Sequence, residues 1–183
     1  IVACSNKKAV TEKQPTTEST TTVNVPQFQA DSAYQYIQAQ ADFGPRVPNT
    51  NAHKACGDYL AQKLEEFGAK VYNQYADLAA YDNSVLKARN IIGAYNPDSR
   101  RRVLLCAHWD SRPFADQDKD KSNHRKPILG VNDGASGVGV LLEVARQLQQ
   151  QAPTIGIDII FFDAEDYGAP YFYDGIYRPH TWC

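Results

Sequence analysis

The thirteen-residue stretch GIDIIFFDAEDYG, Gly156 to Gly168, constrains the fold of this chain more than any other. Ile155, Ile157, Ile159 and Phe161 fall on one side of an extended backbone, with Ile160 and Phe162 on the other. Both sides are largely apolar, which predicts a central strand buried between two layers and not an edge. At its carboxyl end stand Asp163, Glu165 and Asp166, three acids in four residues. Carboxylates this close repel, and burial beside a strand end adds desolvation; a nearby cation or a shared proton relieves both. The plainer reading is an acidic surface loop. Open α/β sheets keep their chemistry at strand carboxyl ends, which favours a site.

With 183 residues, 43% of them apolar, the chain has the size and core content of a single domain. A net charge of −2 predicts no nucleic-acid partner. There is no Met, so the chain is expected to start inside a longer reading frame, and its end at Thr181-Trp182-Cys183 predicts truncation there too. Ile1-Val2-Ala3-Cys4 has the pattern of a bacterial lipobox, in which Cys4 becomes the lipidated N-terminus; four chance residues are the alternative. Ser5 to Pro26 is rich in Thr, Ser, Gln, Lys and Glu and is expected to be a disordered tether. Residues 1–27 thus read as lipobox remnant and tether, and 28–183 as the N-terminal part of one catalytic domain. The expected location is the periplasmic face of a bacterial cell envelope, with membrane contact only through a lipid on Cys4; no transmembrane segment is predicted. Cys56 and Cys106 read as buried thiols without metal-type CxxC spacing, and any pairing among Cys56, Cys106 and Cys183 stays open.

Taken in order, Asp31 or Ser32 is expected to cap a helix running to about Asp42, which Pro45 and Pro48 then prevent from continuing. Asn49 or Thr50 caps a second helix, with Cys56, Tyr59, Leu60, Leu64 and Phe67 at helical spacing and Gly68 ending it. Strands are predicted over Ala69–Tyr75 and Val85–Tyr95. Val103–Ala107, apolar on both sides, reads as another interior strand parallel to the last one, ending at His108-Trp109-Asp110. A polar loop from Arg112 to Lys126 follows. The glycine-rich run Gly130 to Gly137 then leads into a helix with Val138, Leu141, Leu142, Ala145 and Leu148 on one face. Strand, loop, helix, strand predicts a mainly parallel sheet covered by helices. The aromatic run Tyr167, Tyr171, Phe172, Tyr173, Tyr177 and Trp182 suits a pocket lining or a satellite cluster.

On a parallel sheet the ends at His108 and Asp110, the loop at Asp133 and the end at Glu165-Asp166 share one edge and can converge. Imidazole and carboxylate without a thiolate pair fit catalytic zinc, ahead of manganese or cobalt. One of two adjacent carboxylates can ligate while its neighbour shuttles protons. Gly130, Gly134 and Gly137 let the backbone approach closely. Taken singly, Asp133 has a helix cap as its lesser alternative, and His108 reads as a structural histidine.

The segments CAHWDSRPFAD, GVNDGASGVGVLLEVARQL and IIFFDAEDYG resemble the metallopeptidase M28 superfamily of zinc exopeptidases, and within it the bacterial form of the glutaminyl cyclase branch. FGPRVPNTNAH and RNIIGAYNP also match, so the resemblance runs from about Phe28 to Gly168 in five ordered segments. It implies an α/β, three-layer sandwich with a mainly parallel central sheet, truncated at the C-terminus. It implies one Zn2+ per chain with Asp133 and Asp166 as ligands and Glu165 as general acid/base. The second acid is Glu in animal members and Asp in bacterial ones. The third ligand, a histidine, and the remaining catalytic aspartates would lie beyond Cys183; His180 does not match that motif. The implied activity is zinc-dependent cyclisation of N-terminal glutaminyl residues to pyroglutamate with release of ammonia, by a monomer acting on peptides or proteins. The alternative is a two-zinc aminopeptidase, in which His108 would also be a ligand. A third reading, a surface lipoprotein that binds peptides or glycans, leaves Asp133, Glu165 and Asp166 without a use.

Overall fold

The computed structural model describes residues 24–174. The expectations for Cys4 and the tether up to residue 23, and for Tyr177, His180, Trp182 and Cys183, fall outside them.

Helix α1 spans Ala30–Asp42. Its N-cap is Gln29 in an extended conformation without a side-chain cap, so neither Asp31 nor Ser32 starts it. The start is set from a distance: Gln29 N donates to Glu143 Oε1 at 2.9 Å, and Glu143 is buried on α3, Ser136–Gln150. Helix α2, Asn51–Glu66, begins as its sequence predicts, with the Thr50 side chain accepting from His53 N. It buries Cys56, Leu60 and Leu64, and ends at Gly68 with φ +82°.

Strands β1, Lys70–Ala79, and β2, Val85–Tyr95, form an antiparallel hairpin. Pairing with β2 carries β1 four residues past Tyr75, through Ala76-Asp77-Leu78-Ala79, a run of weak strand formers. Strands β3, Arg102–His108, and β4, Gly156–Phe162, pair in parallel with Val103 opposite Ile157 and His108 opposite Phe162. The sheet order is β1-β2-β4-β3.

Two expectations are corrected here. The sheet is mixed, not mainly parallel: β1–β2 and β2–β4 are antiparallel, and only β3–β4 is parallel. A short hairpin connection permits only antiparallel pairing, whereas the α3 crossover permits the parallel one. Among the described residues β3 is also an edge strand, with Val103 and Leu104 43% and 55% exposed and Cys106 exposed.

The described helices cover one face of the sheet. Leu60 and Leu64 of α2 and Val138 and Leu142 of α3 share a fully buried core with Ile91, Ile159 and Phe161, each such side chain contributing about 1.5–3 kcal/mol over exposure. Helix α1 packs on α3. On the opposite face Leu104, Cys106 and Phe162 are exposed. The described residues therefore make two layers, and β4 is interior by its neighbours without being covered on both sides. No described helix is long and apolar enough to cross a membrane.

Candidate functional site

The two parallel strand ends are locked together where Trp109 N donates to Phe162 O at 3.0 Å. This places the residues after β3 beside the acid run after β4. Asp110 is fully buried, and its carboxylate organises that run. Oδ1 accepts the backbone N–H of Glu165 at 3.2 Å and Oδ2 that of Asp166 at 3.1 Å. The chain turns sharply just before, with Ala164 at φ +59°, a left-handed conformation uncommon for a residue with a Cβ. Glu165 and Asp166 consequently do not continue the strand's alternation. The Asp166 side chain is 15% exposed and that of Glu165 52%.

Asp133 arrives from the other side. Between Gly130 and α3 the backbone leaves helical geometry at Asp133 (φ −89°, ψ 106°) and Gly134 (φ 92°, ψ −67°). A Cβ on Gly134 would stand 2.9 Å from Asp110 O and 3.0 Å from His108 Cε1, so only glycine fits this approach. Helix α3 has no side-chain cap, so Asp133 is free of the capping role. Its Oδ1 lies 3.0 Å from His108 Nε2, while His108 Nδ1 lies 3.3 Å from Asp110 Oδ1 and 3.7 Å from Glu165 Oε2. The structure thus gathers His108, Asp110, Asp133, Glu165 and Asp166 from three separate segments. Asp163 points away and is bound to His53 and the backbone of Arg89.

The electrostatics match this crowding. Burial, then the Asp133 and Asp110 charges, push the Asp166 carboxyl up to about 6. Hydrogen bonding to Asp110, helped by Asp133 and Glu165 and opposed by burial, raises His108 to about 9. Asp166 Oδ2 is buried without a hydrogen-bond partner, although Arg112 Nη1 stands 3.6 Å from Oδ1. An orphaned carboxylate oxygen beside a second acid is a donor set that a divalent cation would satisfy. Among the described residues no three His, Cys, Asp or Glu side chains close around one ion. The two carboxylates fit part of a zinc site.

Two supporting residues are not evident from residue type alone, Arg112 and the buried Arg46; the second sits inside the FGPRVPNT segment. A cavity of about 640 Å3 opens next to Glu165, with His108, Phe162 and Cys106 in its wall. Among the described aromatic residues Tyr173 packs against Tyr81 at 4.8 Å and Phe172 against Phe114 at 5.4 Å, while Tyr171 is exposed. Cys56 is a buried free thiol pushed up to about 12 by burial, and Cys106 is free and exposed, contrary to its expected burial.

Residues 90–179 match peptidase family M28. The chain is 68% identical to a Bacteroides thetaiotaomicron glutaminyl cyclase solved with N-acetylhistamine, over 87% of this chain and 55% of that one, with a TM-score of 0.85. It is 64% identical to a Zn-dependent exopeptidase from Parabacteroides distasonis, with the same coverage and TM-score. It is 31% identical to the glutaminyl-peptide cyclotransferase of Bos taurus over 132 residues, 66% of this chain and 35% of the relative. The chain therefore spans a little over half the length of the solved relatives and about a third of the bovine one.

Proposed function

Because the chain belongs to peptidase family M28, we propose that the whole protein cyclises N-terminal glutaminyl residues of peptides and proteins to pyroglutamate, releasing ammonia. The observation that carries this reading is the 68% identity, across 87% of the chain, to a bacterial glutaminyl cyclase.

In this reading Asp133 and Asp166 hold one Zn2+ per chain, with a histidine from beyond Cys183 as third ligand. When bound, zinc supplies Lewis-acid polarisation of the substrate's side-chain carboxamide carbonyl. The Glu165 carboxylate takes a proton from the attacking α-amine as the new C–N bond forms. It returns that proton to the leaving nitrogen as the old C–N bond breaks, and ammonia departs. Asp110 holds the backbone of both acids, so the shuttle and the ligand keep their separation. Arg112 partly offsets the charge on Asp166. The helix-free face, with Leu104 and Phe162 exposed, is proposed to be covered in the whole protein, giving the third layer of the sandwich. The lipobox pattern at Ile1–Cys4 supports a lipid anchor on the periplasmic side.

The second reading is a two-zinc aminopeptidase. The position of His108 Nε2, 3.0 Å from Asp133, suits an additional ligand, and the Parabacteroides relative is described as an exopeptidase. The deciding experiment measures ammonia release from a Gln-initiated peptide beside hydrolysis of an aminoacyl amide, with zinc counted per chain. One zinc and cyclisation without hydrolysis supports the cyclase. Two zincs and cleavage without cyclisation hands the protein to the aminopeptidases.

A further inference from the structure

Arg46 is fully buried, yet its guanidinium is held by main-chain carbonyls. Nε donates to Trp109 O at 3.0 Å, Nη1 to Leu129 O at 2.6 Å and Nη2 to Gly130 O at 2.8 Å. A longer bond runs from Nη1 to Gly44 O at 3.4 Å. Its own main chain is clasped as well, with Arg46 N donating to Ser111 Oγ at 2.9 Å and Ser111 N to Arg46 O at 3.3 Å.

These partners are informative by position. Trp109 lies between His108 and Asp110, and Gly130 lies three residues before Asp133. One planar guanidinium therefore ties the end of β3 to the turn that delivers Asp133. Only a rigid fork of donors can hold three such carbonyls in fixed directions; an ammonium on a flexible stem cannot. Neutral carbonyls alone do not require a full charge, and burying one is costly. The charge has a use here, because Asp110 lies close enough to act electrostatically on Arg46, and Asp133, Glu165 and Asp166 crowd around Asp110.

We propose that Arg46 is a positioning residue of the metal centre: it fixes the Asp133 turn against the His108–Asp110 strand end, from which Asp110 grips the Glu165 and Asp166 backbone. Its catalytic consequence rests on the cyclase reading; its consequence for metal binding does not.

The test uses the whole protein with Arg46→Lys, which keeps the charge and loses the fork, and Arg46→Met, which loses both. Zinc affinity is read by competition with a chromogenic chelator, kcat and KM by ammonia release, and integrity by unfolding of the metal-free protein. Both variants should unfold in one cooperative transition. Zinc binding should weaken roughly 10- to 100-fold, the usual effect of removing support behind a ligand. The loss should be greater for Arg46→Met, with kcat falling and KM changing by less than about threefold. Unchanged zinc affinity and kcat in a folded Arg46→Lys variant overturns the proposal. So does a variant that cannot fold at all, since Arg46 would then be a requirement of the fold itself. If the unaltered enzyme releases no ammonia, the cyclase reading fails, and the zinc competition still decides the role of Arg46.

Discussion

His53 on α2 and Asp163 beyond β4 meet in a buried contact, with Nε2 2.8 Å from Oδ2 and 2.9 Å from Oδ1. The His53 ring also stacks on Trp109, the centroids 4.3 Å apart. Asp163 further accepts the backbone N–H groups of Arg89 at 2.7 Å and Ala164 at 2.8 Å, and its own N–H donates to Asn90 Oδ1. The first acid of the run thus braces the loop that presents the next two. Asp163→Ala would leave His53, Arg89 N and Ala164 N without this partner and should cost roughly 3 kcal/mol of unfolding free energy. Urea unfolding of the whole protein measures this, and a midpoint unchanged from the parent would count against the brace.

Glu165→Gln keeps the size of the side chain and removes its basicity. Turnover should drop by roughly two to four powers of ten, with zinc content unchanged, because Glu165 is the more exposed acid and carries no ligand role in the proposed site. Asp166→Ala should lose the metal, since it deletes the buried unpartnered oxygen. Metal analysis of both variants after dialysis separates the roles. Zinc lost with Gln at 165 and kept with Ala at 166 would reverse them.

Stability in the absence of metal should fall as pH rises. Asp166 is raised from 3.8 to about 6, so its contribution is present below pH 3.8 and lost as pH passes 6. His108 is raised from 6.5 to about 9, so its contribution is complete below pH 6.5 and lost as pH passes 9. Zinc should therefore stabilise the whole protein more at pH 8 than at pH 5, as followed by thermal unfolding. The His108 ring should titrate near 9 by NMR without metal, and lower with zinc, because a divalent cation sharing Asp133 repels the imidazolium. A zinc effect on melting that is flat from pH 5 to 8 would contradict this.

Gly134→Ala places a methyl group against Asp110 O and His108 at a positive φ. The strain should cost about 1–3 kcal/mol or move the Asp133 turn outward. In either case zinc affinity falls while α3 persists by circular dichroism. An alanine variant with parental zinc affinity would show that the turn tolerates a side chain.

Patterns confined to a few residues were legible in the sequence. The cap of α2 at Asn49 or Thr50, of which Thr50 is the one used, Gly68 at its end, and the bounds of β2 and β4 depend on side-chain period and cap chemistry within one turn or strand. So did the convergence of His108, Asp133 and Glu165-Asp166 at one edge, because the β3–α3–β4 crossover makes that pair parallel. Tertiary structure decided what depends on partners far along the chain. The antiparallel direction of β2 beside β4 comes from where a hairpin docks, and β2's own residues read the same either way. The start of α1 comes from Glu143, some hundred residues away. Above all, three acids that look equivalent in DAED are sorted by acceptors and donors elsewhere. His53 and Arg89 draw Asp163 into the core, and Asp110 takes the backbone of Glu165 and Asp166 through a left-handed turn at Ala164. Local sequence sets which groups are available; long-range hydrogen bonds set which way each one faces.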